Sequence, residues 1–203
     1  MTLLTKENSV KPEAVKNIIN SLVLAFSADP IARWMYPSAR QYLGYFPDFM
    51  MAYGKKALDL RTVYYPNNYA GAAFWFPPNV KPDEEAVVET IQQTISPERQ
   101  AEVFSLLEQM SHFYPSKPYW YLGILGVDPS QQNQGYGSNL IQAVLDLCDR
   151  SSLPAYLESS NRANLAFYEK HNFKVIGEIQ TPSSPIMFPM IRYPENKQKT
   201  LII

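Results

Sequence analysis

The sequence is short of cysteine, of histidine and of charge gathered in one place. Cys148 is its only cysteine, so no disulfide can close within the chain and a cysteine-rich metal site is excluded. Two histidines, His112 and His171, stand far apart in the sequence and do not make a metal centre. With 18 Lys and Arg against 19 Asp and Glu, the net charge is -1. No basic block stands out, which argues against nucleic acid or an anionic membrane as the main partner. No apolar run approaches the ~18 residues of a membrane span. The first fifteen residues lack the basic-then-apolar order of a secretory signal. These absences lead to the expectation of a soluble, cytoplasmic protein. What is present, 203 residues of which 46% are hydrophobic, suffices for one well-filled domain.

Periodicity sorts the chain into two halves. Apolar residues recur at spacings of three and four from Pro12 to about Phe26, predicting a helix that Asp29-Pro30 closes. A second helical stretch runs from about Arg40 to Leu60. Short strands are expected over 61–65 and 69–76, joined by a turn at Pro66-Asn67-Asn68, and helices over 83–95 and 97–112. The second half opens on YWYLGILGV (119–127), apolar enough for a central strand and stopped by Asp128-Pro129. A helix over 135–150, a strand over 154–159, a helix over 161–171 and strands over 173–179 and 186–192 follow. This order implies an α/β domain with a mixed sheet around a βαβ crossover. Residues 1–193 read as one domain and 194–203 as a loose tail.

The segment with chemistry in it is Val127 to Ser138, VDPSQQNQGYGS, where a buried strand gives way to a helix. A helix start offers unpaired N–H groups and a positive dipole end, a ready seat for phosphate. Gly135 and Gly137 allow close backbone approach, and Gln132 and Ser138 add side-chain donors. A dinucleotide-binding fingerprint fits poorly, because Leu140 stands where its last glycine or alanine belongs. A phosphate loop of the Gly-Lys-Ser/Thr type is missing. The residues alone point to an anion, a nucleotide or coenzyme, or else to a plain strand-to-helix turn.

Two words in order resemble something more specific. Gln132-x-x-Gly135-x-Gly137 after Val127-x-Pro129 looks like the coenzyme A pyrophosphate loop of the GNAT superfamily of N-acetyltransferases. LESSNRANLAFYEKHNF (157–173) resembles that superfamily's next signature, an Asn four residues before a Tyr, then Glu and Phe. Together the motifs cover about 119–177. Within the superfamily, the branch containing puromycin N-acetyltransferase looks closest through Leu-Glu-x-Ser and Asn-x-x-Phe-Tyr-Glu. ADPIARWMYP (28–37) and AAFWFPP (72–78) echo it weakly. Asn133 and Asn172 stand where the family often has glycine, and asparagine tolerates the left-handed region. The family's first strand is hard to find before Lys11.

The resemblance implies a mixed β-sheet flanked by helices, with a helical insertion between the third and fourth strands. It implies acetyl-coenzyme A as co-substrate, held by Leu125, Gly126, Val127, Gln132, Asn133, Gln134, Gly135, Tyr136, Gly137, Ser138, Asn164 and Tyr168. Leu125 and Val127 would pair the pantetheine amides like an added strand, with the Val127 N–H as oxyanion donor. An amine near pKa 10.4 needs a base, and the departing thiolate needs an acid. Tyr168 matches the family's acid; otherwise it simply packs on the sheet. Glu158, at a strand end, would serve as base if burial raised its pKa, or else pair with a cation or cap a turn. His171 and Cys148 read as structural, and His112 as a loop residue. Trp34, Tyr36, Phe46, Trp75 and Tyr121 are candidate walls for an acceptor, though most read as ordinary core. The expected partner is a small-molecule amine, with no nucleic acid and no membrane, met by a monomer or homodimer. A rival expectation is a sensor that binds acyl-coenzyme A without turnover.

Overall fold

A computed structural model describes residues 11–195. Helix α1 (Pro12–Ala25) starts on Pro12, whose missing N–H is unpaired at a first turn anyway. Asp29-Pro30 follows α1, and it also starts a helix that the sequence pattern left out. The Asp29 carboxylate accepts from the Ile31 and Ala32 N–H groups and Pro30 takes the first position, producing the short α2 (Pro30–Met35). Helix α3 (Ala39–Asp59) opens on a capping box made by Ser38 and Gln41.

The expected hairpin strands are shorter than the apolar runs, β1 (Val63–Tyr64) and β2 (Gly71–Phe76). Arg61 and Tyr69 take positive φ (57° and 53°), which no ladder continues through. Helices α4 (Glu84–Thr94) and α5 (Pro97–Ser111) form the expected insertion, between β2 and the long central strand β3 (Trp120–Val127). The stretch before Lys11, where the family's first strand is hard to find, lies outside the described residues.

After β3 come α6 (Tyr136–Ser151) and β4 (Ala155–Ser159), completing the crossover. The expected helix over 161–171 divides into a 3-10 turn at Arg162–Asn164 and α7 (Leu165–Glu169). The expected strand over 173–179 shrinks to β5 (Lys174–Val175), with an isolated bridge at Ile179↔Met187. Its partner is β6 (Phe188–Arg192). Ile176 donates to Pro189 O at 2.9 Å, but Pro189 has no N–H to return, so the ladder stops there. Of the expected tail, Glu195 is tied down, its N–H donating to Asp149 Oδ1 at 2.8 Å; 196–203 lie outside the described residues.

The six strands form one mixed sheet in the order β1-β2-β3-β4-β6-β5. Alternation along β2 sends Phe74 and Phe76 into a core under α1–α5, and Ala73 and Trp75 into a second core under α6 and α7. Strands β3 and β4 are the parallel pair, and they pair only at Trp120↔Ala155 and Tyr121↔Tyr156. Beyond those residues they diverge. The sheet is therefore split along the rest of β3, and the site lies at that split.

Candidate active site

On one side of the split, β3 runs into the exposed loop 128–135. Asp128 N–H donates to Ala70 O on the β2 side at 2.9 Å, so strand alternation turns the Val127 N–H to the split side. Gln132 Nε2 donates to Val127 O at 3.2 Å and holds the loop against the strand end. Asn133 takes φ 62° and Gly135 φ 83°, two left-handed residues that bend the chain into α6. Gly135 is the N-cap of α6 and has no side chain to cap the first turn, which carries no acidic residue either. A Cβ at Gly135 would meet nothing within 4 Å. The first turn is thus without a side-chain cap, and the space beside Gly135 is open, as an incoming anion requires.

Two residues of this loop have contacts that the sequence did not show. Gly137 lacks a Cβ for the sake of α7, since a Cβ there would come 3.2 Å from Phe167 Cζ. The Ser138 hydroxyl is shared with His171 Nε2 at 3.0 Å. Burial and the nearby Arg192 lower the His171 pKa, so the ring is neutral near pH 7. Tyr136 accepts from Asn68 Nδ2 at 2.8 Å, joining the loop to the β1–β2 turn; Gln134 is exposed.

Facing the split from the other side is a cavity of about 130 Å³. It brings Leu125, Glu158, Asn164 and Tyr168 to one space, although they come from β3, β4, the 3-10 turn and α7. Tyr168 is buried and packs edge-on against Phe167 and Phe173. Burial, with a smaller contribution from Asp29, holds its hydroxyl in the protonated form. Of the residues expected to wall an acceptor, Phe46 and Tyr121 line this cavity, while Trp75 belongs to the opposite core.

Glu158 sits among phenols. The β3–β4 register sets Tyr121 beside Tyr156, and Glu158 follows two residues on, pointing the same way. Tyr53 of α3 closes over them, its hydroxyl 2.5 Å from that of Tyr121. Burial raises the Glu158 pKa to about 7, against the opposing effect of the Tyr121 and Tyr156 hydroxyls. Its Oε1 is buried and holds no hydrogen bond among the described residues, and the same is true of the Tyr156 hydroxyl. The carboxylate is thus proton-seeking near neutrality and open to a ligand.

Sequence reasoning passed over Tyr53, Tyr156 and Asp29. Tyr156 was signalled by the alternation Tyr119-x-Tyr121 against Tyr156-x-Glu158, legible once the register is known, whereas nothing in that pattern points to Tyr53 on α3. Asp29 was read only as a helix stop. It lines the same cavity, and Ser160 donates to its Oδ2.

The acetyltransferase (GNAT) family model matches residues 42–173, which span the insertion, the split and the loop. The chain belongs to the GNAT family. Its members use acetyl-coenzyme A as donor and amines as acceptors. An uncharacterized N-acetyltransferase of Schizosaccharomyces pombe is 37% identical over 83 residues, which are 39% of this chain and 34% of that protein. The match thus spans about a third of the relative's length. Among solved structures, a Corynebacterium glutamicum protein described as histone acetyltransferase HPA2 and related acetyltransferase aligns at TM-score 0.68 with 17% identity, covering 96% of this chain and 98% of that one. Arylalkylamine N-acetyltransferase 2 of Aedes aegypti aligns at TM-score 0.60 with 14% identity, covering 93% and 98%. At these identities the structures share the GNAT fold. No helix among the described residues is long and apolar enough to cross a membrane.

Proposed function

We propose that the chain is an acetyl-coenzyme A-dependent N-acetyltransferase of a small-molecule primary amine. The single observation that carries this reading is the convergence of Glu158 and Tyr168 on one cavity beside the split strand. Residues 125–127 hold the pantetheine arm through main-chain groups, and the loop 132–138 with the first turn of α6 holds the pyrophosphate. Asn164, exposed at the cavity edge, steadies the arm near Tyr168.

The chemistry then divides between two residues. Glu158 takes a proton from the substrate ammonium, freeing the nitrogen lone pair to attack the thioester carbonyl. The Val127 N–H stabilises the charge that gathers on the carbonyl oxygen. A C–N bond forms, the C–S bond breaks, and Tyr168 protonates the departing sulfur. The nitrogen's second proton returns to Tyr168 through solvent, and Glu158 releases the first, for one net proton per turnover. A carboxylate with pKa about 7 suits a base working near neutrality. The reading takes 1–193 as one catalytic domain acting in the cytoplasm. It keeps the puromycin N-acetyltransferase branch as the nearest within the family, on the words around Glu158 and Tyr168.

The test is calorimetric titration of acetyl-coenzyme A, followed by thiol release with 2-phenylethylamine. Saturable binding with amine-dependent thiol release, slowed in Tyr168→Phe, supports the enzyme. Saturable binding without product from any amine would establish the sensor instead. No binding would sink both.

A further inference from the structure

The acceptor cavity carries a narrower statement, which rests on the reading just given. Among the described residues no Lys, Arg or His lines it, and the only charged lining residues are Asp29 and Glu158. Asp29 is fully engaged. Its Oδ1 accepts from Ile31 N and Ala32 N, each at 3.0 Å, and its Oδ2 from Ser160. Glu158 is the opposite case. Its Oε1 is buried without a hydrogen bond, and none of the ion pairs among the described residues involves it. An unpaired buried carboxylate costs free energy unless a cation meets it. Ser159, Ser160, Asn164 and the tyrosines Tyr53, Tyr121 and Tyr168 gather with the carboxylates, and the rest of the wall is apolar, including Met35, Met50, Met110, Met187, Phe46 and Phe49.

We infer that the acceptor is a monoamine with a single cationic end seated on Glu158 and an apolar tail of about one aromatic ring in the methionine- and phenylalanine-lined end. The size follows from comparison. A dry cavity of about 150 Å³ lined by Leu, Ile and Phe holds benzene; this one measures about 130 Å³ in all, including the end at Leu125, Asn164 and Tyr168 that takes the thioester, so one ring is the upper limit. Thioethers adapt to flat and irregular tails alike. The Tyr53 and Tyr121 hydroxyls, 2.5 Å apart, line the same space and offer oxygen lone pairs to an ammonium beside the carboxylate. A second cation on the substrate would find a counter-charge only at Asp29, whose oxygens are already held by Ile31, Ala32 and Ser160, and would have to compete with those hydrogen bonds. A sugar amine would bury hydroxyls against methyl and thioether groups that return no hydrogen bond. A peptide lysine has an apolar stem but would bring backbone amides to the same wall.

The experiment needs no turnover. The protein is saturated with coenzyme A, and 2-phenylethylamine, butylamine, agmatine and Nα-acetyl-lysine amide are titrated by calorimetry at pH 8. We expect 2-phenylethylamine to bind at least about tenfold tighter than agmatine or the lysine derivative, with each methylene in an alkylamine series worth about fourfold. In Glu158→Gln, shown folded by its thermal transition, the 2-phenylethylamine affinity should fall at least about tenfold. In wild type it should weaken as pH drops from 8 to 6. The groups that face Glu158, the phenols of Tyr53, Tyr114, Tyr119, Tyr121 and Tyr156, all titrate far above that range. Agmatine or the lysine derivative binding as tightly as 2-phenylethylamine would overturn the inference. So would a Glu158→Gln protein that binds 2-phenylethylamine like wild type, or the absence of binding by any of the four. Failure of coenzyme A itself to bind would strike the coenzyme reading alone, and the same ranking would then be read on the free protein.

Discussion

On the proposed donor side of the split sheet lie the mostly exposed loop 128–135 and the first turn of α6, which has no side-chain cap. On the proposed acceptor side, the cavity is walled by residues of α2, α3, α5, β3, β4 and α7 with Phe26 and Met187, brought together from positions up to 161 residues apart in sequence. The first is a local conformation, fixed by Asn133 and Gly135 in the left-handed region. The second is a packing arrangement around Glu158, with Tyr53 and Tyr121 hydroxyls in contact. Local conformation is set by neighbours in sequence, whereas a cavity exists only once the whole sheet has formed. Substitutions should therefore separate binding of the donor from chemistry on the acceptor.

The sharpest separation should come from Glu158→Gln. With 2-phenylethylamine at pH 8 its kcat/KM should fall about 10³-fold, within the range expected for loss of a general base. In wild type, kcat/KM should rise tenfold per pH unit and level off above about 7, as Glu158 loses its proton. Equal activity in the variant would break the comparison on the acceptor side.

The same substitution should stabilise the protein. The folded-state pKa of Glu158 lies above that of an unfolded glutamate, so its stabilising contribution is complete below about pH 4.3 and is lost as pH rises through about 7. Above that pH, Glu158→Gln should exceed wild type by up to about 3 kcal/mol. The gain should vanish near pH 4, as read by calorimetric melting.

Tyr168→Phe keeps the ring that packs on Phe173 and removes the proton donor. Thiol release should slow about 10²-fold while calorimetric acetyl-coenzyme A binding persists. Gly135→Trp acts on the other side. A side chain at φ 83° costs about 1–2 kcal/mol and fills the open approach, so acetyl-coenzyme A should bind at least about tenfold more weakly. Ser138→Ala should cost the least, about threefold in the same titration, because His171 already shares that hydroxyl.

The contrast between the two sides also marks what could be read from the sequence. Loop 127–138 was legible because glycine and asparagine at fixed offsets demand one local shape, and α6 was legible from its apolar stripe. Helix α2 was not, because Asp-Pro both ends one helix and caps the next, and the pattern does not say whether another helix follows. β5 was overestimated, because the apolar run continues past the point where Pro189 withholds its N–H. Glu158 was visible as a carboxylate at a strand end. Its unpaired state was not, since that depends on a register and on a tyrosine from α3 more than 100 residues earlier.

The short β3–β4 pairing has a consequence for how freely this protein can change. Only two residue pairs join these strands before they part. The edge left open offers carbonyl and amide groups, which every amino acid except proline carries alike. Side chains along 122–127 can drift under other pressures without erasing that edge. On the proposed reading, the methionines and phenylalanines across the gap could be exchanged for a new acceptor while the donor grip stays intact. A tear in a sheet, ordinarily a place where a fold is weak, here becomes the fixed point around which specificity is free to vary.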